Sequence, residues 1–271
     1  MTTLSVPLAV VPVSGLTYRL IAHLLLRDAN VESIKPRMKA LSAGHAILAT
    51  IAVLLALRAS PLVAKQSDKR QVTRYRADGN LDDSDIQLIQ EHSLLANTIT
   101  SWETGYLLYD TWAMVHYSHP QTKDRGFAQS IATVASAEPA VFGHHVLLSS
   151  AFLYLQYYIH QGRERGIWII AAFLLMNASS PVMHLRWWFR RKDSRTVKLD
   201  YAFAAIFALS RFGSVYWVLR NYGASHGLNV RQTLTAMRVP CQVGTAALTG
   251  LNAMWWMTLV NGIIRRSLDA S

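Results

Sequence analysis

One mostly apolar run decides the fold class of this chain: Ala140-Val-Phe-Gly-His-His-Val-Leu-Leu-Ser-Ser-Ala-Phe-Leu-Tyr-Leu-Gln-Tyr-Tyr-Ile159. Its length matches the roughly 20 residues that an α-helix needs to cross about 30 Å of bilayer hydrocarbon. Two adjacent histidines, His144 and His145, lie inside it. Ionisable groups at membrane depth are costly and often mark a functional site, so this pair is the first candidate for function.

The composition of the whole chain also indicates a membrane protein. Of its 271 residues, 51% are hydrophobic and only 16% are charged, whereas soluble domains carry about 25% charged residues. The apolar stretches predict an all-α bundle of six or seven transmembrane helices. The candidate spans are residues 5–26, 41–57, 94–117, 140–159, 167–184, 199–219 and 240–264.

A single domain is expected to account for most of the chain. Residues 1–34 form an N-terminal segment with the first and weakest membrane helix, residues 35–266 the main helical domain, and residues 267–271 a short tail. The long polar segment from Arg58 to His92 is interpreted as a solvated loop, with a turn and a helix start between Arg76 and Asp85. No cleavable signal peptide is expected, because no basic region precedes the N-terminal apolar run.

The charge pattern favours lipid partners. The net charge is +11, but the basic residues lie in short loops between apolar runs and do not line one face. We therefore expect membrane lipids with anionic headgroups as partners, and no nucleic acid. A small excess of Lys and Arg on one set of loops predicts a lumenal N-terminus and a cytosolic C-terminus.

Cysteine and histidine spacing predicts neither a metal site nor a cofactor. Cys241 is the only cysteine, which excludes an intrachain disulfide and a zinc ribbon. It is expected to be a buried small residue, with reversible palmitoylation as the alternative. His116 and His119 have the His-x-x-His spacing of membrane di-iron enzymes, but the remaining histidines do not complete such a ligand set.

Polar side chains within the third and fourth spans could form a proton-transfer site. Asp110 is the carboxylate expected deep in an apolar run, and Tyr106 lies four residues before it, on the same helix face. Adjacent residues point about 100° apart on a helix, so His144 and His145 should address different neighbours. A neutral imidazole beside a carboxylate is a plausible general base. The alternative is that these groups only hydrogen-bond helices together.

The fifth span ends in a second unusual segment, from Asn177 to Arg190. Pro181 should interrupt the helix, and flanking serines could satisfy the freed carbonyl. This break could open a polar pocket around Asn177, Ser179 and His184, or it could be only a kinked helix end that Arg186 and Trp187 anchor at the membrane surface.

The sixth and seventh spans each carry an interior polar side chain. Arg211 needs a partner at membrane depth, and Asp110 is the expected one. Asn252 is available for a hydrogen bond between helices.

Together these segments resemble the TLC-domain family of multi-pass membrane proteins. The resemblance lies in the order of Gly105-Tyr-Leu-Leu-Tyr-Asp110, His144-His145, Ser179-Ser-Pro-x-x-x-x-Arg-Trp187, Arg211 and Asn252-x-x-Trp255. The family includes the translocating-chain-associated proteins, the ceramide synthases and small lipid-homeostasis proteins. This chain is most similar to the small TLC-domain-containing subgroup, which implies a TLC domain over residues 35–266 and a place in the endoplasmic reticulum or a related endomembrane.

Two departures separate the chain from its catalytic relatives. The ceramide synthases carry a His-Asp downstream of the histidine pair, and no His-Asp follows His145 here. The relatives that it most resembles have a glutamate where Asn177 stands and an asparagine where His184 stands. The loss of that carboxylate removes a possible base.

The resemblance leaves two function classes, of which we favour the non-catalytic one. The first is lipid homeostasis, in which an intramembrane polar pocket binds or regulates lipids. The second is a ceramide-synthase-like N-acyltransferase, with His144 or His145 as base, Asp110 orienting it, and acyl-CoA as co-substrate. The expected pocket residues are Tyr106, Asn177, Ser179, Ser180, Pro181, His184, Arg186, Trp187, Arg211, Asn252 and Trp255.

Overall fold

A computed structural model describes residues 5–58, 60, 75, 81–84, 86–117, 126–192 and 197–269. Helices make up most of these residues; the described part contains no β-strand, only an isolated bridge between Tyr75 and Leu81. The predicted all-α fold is confirmed.

The α-helices are α1 (Ser5–Leu26), α2 (Val31–Leu57), α3 (Gln87–Gln90), α4 (Leu94–Tyr117), α5 (Phe127–Ala137), α6 (Pro139–His160), α7 (Ile167–Phe173), α8 (Ser180–Lys192), α9 (Val197–Ala208), α10 (Ser214–Ser225), α11 (Val230–Ala236) and α12 (Val239–Asp269). A 3-10 segment, Leu174–Ser179, joins α7 to α8, and a π-helical segment, Leu209–Gly213, joins α9 to α10.

The seven predicted membrane spans all fall on helical residues. Among the described residues, four stretches are long and apolar enough to cross a bilayer: Pro7–Leu26, Glu32–Leu57, Ile167–Arg191 and Val197–Ser225. The helices α4, α6 and α12 are 24, 22 and 31 residues long but less apolar, and they are not in this set. Membrane crossing by these three helices, and the total number of spans, stay predictions.

Proline and glycine decide where several helices begin or change. Pro139 stands at the start of α6, where its missing N–H has no intrahelical acceptor to lose. Gly166 precedes α7 with a left-handed φ of 68°, which a glycine adopts without strain. Pro181 cannot donate to the carbonyl of Asn177 as an α-helix requires, and the residues just before it tighten into the 3-10 segment. The predicted interruption at Pro181 is therefore present.

The first of two compact units is built on the contact between α1 and α4. It comprises residues 1–42 and 92–164. A Cβ added to Gly105 would lie 2.6 Å from the Ser14 Cβ, so these helices approach at backbone distance. The ring of Tyr18 packs edge-on against Tyr106, with centroids 4.9 Å apart. Small residues allow such close packing between membrane helices, and here they make α1 part of the unit's core.

The second unit holds the irregular helical segments. It comprises residues 43–91 and 165–271. The helices α10 and α11 meet at Gly223, where an added Cβ would lie 2.1 Å from the Thr233 Oγ1. The helix α9 packs against α12, and the 3-10 segment packs against the π-helical segment. Two stretches that depart from α-helical hydrogen bonding therefore lie side by side.

Two expectations about single segments are wrong. Cys241 is exposed and not buried, since it lies on a part of the first turn of α12 where Pro240 and Val243 are exposed as well. The segment from Arg58 to His92 is not simply a solvated loop, since Leu81 and Asp83 are buried. The expected turn lies mostly outside the described residues, which omit positions 76–80 and 85.

Candidate functional site

His145 and Asp110 lie next to each other in the first unit, as predicted. The distance from His145 Nε2 to Asp110 Oδ2 is 3.7 Å, which is too long for a good hydrogen bond but short enough for electrostatic attraction. Both side chains are partly exposed, 16% and 24% respectively. The other ring nitrogen of His145, Nδ1, is buried and has no hydrogen-bond partner among the described residues. One nitrogen of this imidazole, Nε2, thus faces a carboxylate, and the other, Nδ1, makes no hydrogen bond with the described residues.

A row of polar contacts holds α4 against α6 at this site. Ser101 donates to Gln156 Oε1 at 2.7 Å, and the hydroxyls of Thr111 and Ser149 are 3.2 Å apart. On α6, His145, Ser149 and Gln156 are spaced by four and seven residues, which places them on one helix face. Helix pairing by hydrogen bonds, the alternative reading of these polar groups, thus accounts for Ser149 and Gln156.

The two histidines point in different directions, as their positions on a helix require. The rings of His144 and His145 are 5.9 Å apart and nearly perpendicular, at 88°. Of these two rings, the one for which the structure gives an ion pair with Asp110 is His145.

Tyr106 has a hydrogen-bond partner outside its own helix. Tyr106 is buried between aromatic rings, and it hydrogen-bonds Ser42. Its ring packs edge-on against Tyr18. A second carboxylate, Glu103, is also buried in α4, so the expectation that Asp110 alone lies within an apolar run is wrong.

Arg211 forms the centre of a polar site in the second unit. It lies on the π-helical segment, and its Nη1 donates to Asn252 Oδ1 at 3.0 Å while its Nε donates to Ser179 Oγ at 3.4 Å. Ser179 and Asn252 are buried. The guanidinium also lies over the ring of Trp255, 5.9 Å from its centroid. Three predicted pocket residues therefore gather around Arg211.

The guanidinium of Arg211 uses a neutral amide and a hydroxyl of its own unit, and no carboxylate described in that unit forms an ion pair with it. Its predicted pairing with Asp110, a residue of the other unit, stays a prediction. Asp110 pairs with His145. The remaining expected pocket residues near the 3-10 segment are Asn177, Ser180, Pro181 and His184, of which His184 is buried.

Arg186 belongs to a separate cluster around Asp200 at one end of the second unit. Asp200 is only 1% exposed, and Arg186 and Arg190 from α8 and Arg266 from α12 surround its carboxylate. Trp187, the other expected anchor, lies under the guanidinium of Arg191 at 5.3 Å. The sequence pattern did not single out Asp200. A signal that could have found it is an acid at the start of an apolar stretch long enough to cross a bilayer, just after a basic run.

Asp83 forms another buried cluster that the sequence pattern did not predict. Tyr222 donates to Asp83 Oδ1 at 2.8 Å, His226 Nε2 lies 3.1 Å from the same oxygen, and Arg238 Nη2 lies 3.1 Å from Oδ2. Burial raises the pKa of Asp83, but the hydrogen bonds of His226 and Tyr222 and the charge of Arg238 outweigh it and hold the pKa below its ordinary value. This carboxylate is thus ionised and fully engaged.

A metal centre finds no support within the described ranges. They contain no group of three or more His, Cys, Asp or Glu arranged to hold a metal ion. His116 stacks on Trp112 with centroids 4.9 Å apart. His119, the other half of the His-x-x-His spacing, lies outside the described residues.

An apolar groove lies between α9 and α12, with a volume of about 330 Å³. Small side chains of α9, Ala204, Ala205 and Ala208, form one wall. Trp256, Val260 and Ile264 of α12 form the opposite wall.

Comparison with known proteins agrees with the helical architecture. The family model TRAM_LAG1_CLN8, described as the TLC domain, matches residues 38–261, which is most of the chain. No curated protein and no solved structure matches it significantly.

Proposed function

The chain belongs to the TLC-domain family of membrane proteins, and from that premise we propose that it acts in membrane lipid homeostasis by binding lipids in a polar pocket at Arg211. Membrane lipids are the proposed partners. The endoplasmic reticulum or a related endomembrane is the proposed location. The proposed role is non-catalytic, and what supports it is that the pocket offers a partly buried cation with hydrogen-bonding groups, which suits it to hold a polar headgroup.

The observation that carries this proposal is the set of neutral partners around a cation at membrane depth. An arginine at the centre of a membrane helix costs about 2.5–3.5 kcal/mol on insertion scales, and such residues usually pair with an acid. Arg211 has only Asn252 and Ser179 as hydrogen-bond acceptors among the described residues. A guanidinium has five N–H donors, so donors remain for a ligand. The phosphate or carbonyl oxygens of a lipid would supply the missing acceptors.

The backbone around Arg211 also supports a binding role. The arginine lies on a π-helical segment, and Ser179 ends a 3-10 segment packed against it. Such departures from α-helical bonding are frequent at functional sites. They shift side chains relative to a regular helix, which brings Arg211, Ser179 and Asn252 to one place.

The test is lipid retention by the purified full chain. We expect Arg211→Gln to lose one class of co-purifying lipid, measured by mass spectrometry after extraction in mild detergent. Arg220→Gln is the matched control, because Arg220 is an exposed arginine of the same membrane-spanning stretch. Identical lipids on wild type and Arg211→Gln, with equal melting temperatures, would refute the pocket.

A second candidate function, N-acyl transfer, is favoured by the contact between His145 and Asp110. In this reaction the neutral imidazole takes a proton from a sphingoid amine as the amine attacks an acyl-CoA thioester. The C–S bond then breaks, and the imidazolium returns the proton to the sulfur, so that coenzyme A leaves as a thiol. Asp110 would orient the ring and stabilise its protonated form. Asp110 lies beside Nε2 of His145, and Nδ1 makes no hydrogen bond with the described residues; because Nδ1 is buried, the amine would have to enter between the helices to reach it.

Purified protein supplied with sphingoid base and acyl-CoA tests this second candidate. If it is correct, His145→Ala abolishes ceramide formation, while His144→Ala, which removes the ring pointing elsewhere, retains most of it. Absence of turnover in well-folded wild-type protein would exclude it.

A further inference from the structure

The cluster around Asp200 has more positive charge than its single carboxylate can neutralise. Asp200 accepts hydrogen bonds from Arg186 Nε, from Arg190 Nη2 at 2.7 Å and from Arg266 Nε at 3.2 Å. Three guanidinium groups thus share one negative charge, which leaves a net charge of +2. Since Asp200 is almost fully buried, this excess is fixed in position by the fold.

The arginines also have unused hydrogen-bond donors. Each guanidinium has five N–H groups, and the carboxylate engages only one or two from each. Arg266 Nη2 is buried 3.1 Å from Asp200 Oδ2, so this nitrogen belongs to the ion pair and is not open to a ligand. The exposed fractions of the Arg190 and Arg266 side chains are 30% and 36%. An anion approaching from outside could therefore reach both.

The cluster lies at the membrane boundary by its position in the helices. Asp200 is in the first turn of α9, where a membrane-spanning stretch begins at Val197. Arg186 and Arg190 are near the end of the stretch Ile167–Arg191. Lipid phosphates are found at this depth, and arginine binds phosphate through paired hydrogen bonds.

The apolar groove between α9 and α12 begins next to the cluster. Tyr201, which follows Asp200, and Ile264, two residues before Arg266, line its near end. Ala208 and Trp256 line its far end. The nine residues from Trp256 to Ile264 are joined by eight helical steps, which span about 12 Å along the helix axis. The arginine cluster and the apolar groove thus follow one another along α9 and α12, which matches a ligand with an anionic head and an apolar tail.

We propose that the arginine cluster and the groove together bind one anionic glycerophospholipid, with its phosphate on Arg190 and Arg266 and an acyl chain between α9 and α12. Arg186 and Asp200 position the two binding arginines. This site is distinct from the pocket at Arg211 and does not depend on it.

The experiment uses the delipidated full chain in neutral detergent. Phosphatidic acid, phosphatidylcholine and inorganic phosphate are titrated separately, and binding is followed by native mass spectrometry and by the melting temperature. We expect phosphatidic acid to bind and to raise the melting temperature, with much weaker effects of the other two. Equal effects of phosphatidylcholine would overturn the charge argument, and equal effects of inorganic phosphate would overturn the groove.

Two variants and one control assign the effect to this site. Arg266→Gln should weaken phosphatidic acid binding about tenfold, since it removes charge-assisted hydrogen bonds. Ala205→Phe should weaken it by filling the groove. Arg265→Gln removes the same charge one residue away, at an exposed position without contact to Asp200, and should leave binding unchanged. A loss in Arg265→Gln equal to that in Arg266→Gln would mean that net charge alone attracts the lipid. The Arg211→Gln variant should keep this binding, which separates the two sites.

Discussion

Asp83 and Asp200 of the second unit differ from Asp110 of the first unit in burial and in the number of groups that pair with them. In the second unit, Asp83 and Asp200 are buried and each accepts several hydrogen bonds or ion pairs. In the first unit, Asp110 is 24% exposed, and its ion pair among the described residues is a loose one of 3.7 Å with His145. A carboxylate with many partners is fixed in its charged form and holds helices together. A carboxylate with one distant partner keeps the capacity to orient a ring or to meet a ligand.

The largest expected effect is on Asp200. Asp200→Asn leaves three arginines without a negative charge, and loss of one partner from a buried ion pair costs about 3–5 kcal/mol. We expect a value near the lower end, about 3 kcal/mol, because the arginines are partly exposed. The melting temperature in detergent, followed by tryptophan fluorescence, should fall by several degrees. An unchanged melting temperature would contradict the structural role of this cluster.

A smaller effect, dependent on pH, is expected at Asp83. Its pKa is lower in the folded protein than in the unfolded chain, so it contributes stability above about pH 4, the ordinary range of an aspartate. That contribution is lost as the pH falls through the lower, folded-state pKa. Melting temperatures of wild type and Asp83→Asn, measured from pH 7 to pH 3, should converge at the acid end. Curves that stay parallel would show that Asp83 does not supply this stability.

The smallest effect is expected at Asp110. A partly exposed pair at 3.7 Å contributes about 0–1 kcal/mol, so Asp110→Asn should change the melting temperature little. The matched comparison is Asp200→Asn, which makes the same chemical change in the other unit. If both variants destabilise equally, Asp110 is a structural residue and the proposed difference between the units is wrong.

Local features of the fold could be predicted from the sequence. Long apolar runs require helices in a bilayer, and a proline inside one of them requires a break, so α6 and the change before Pro181 follow directly. The contact between His145 and Asp110 was also predicted, because few groups at membrane depth are available to either of them.

Partners that depend on helix rotation could not be predicted. Arg211 has several polar candidates on other helices, and periodicity does not decide which of them faces it; the structure selects Asn252, 41 positions away. Asp83 accepts a hydrogen bond from Tyr222, which lies 139 positions later in the chain. Asp83 belongs to the segment from Arg58 to His92, whose composition predicts a solvated loop. The packing of the helices against one another determines the partners of Arg211 and Asp83.

The π-helical segment determines how α9 and α10 are rotated relative to each other about their common helix axis. A π-turn closes its hydrogen bonds over five residues and so accommodates one residue more than an α-turn. On the α9 side, Asp200 faces its arginines, and on the α10 side, Tyr222 faces Asp83. Deleting one residue between Leu209 and Gly213 would restore a regular helix and turn one side by about 100° relative to the other. The clusters around Asp200 and Asp83 could then no longer form at the same time. The additional residue of the π-turn is therefore what allows both clusters to form.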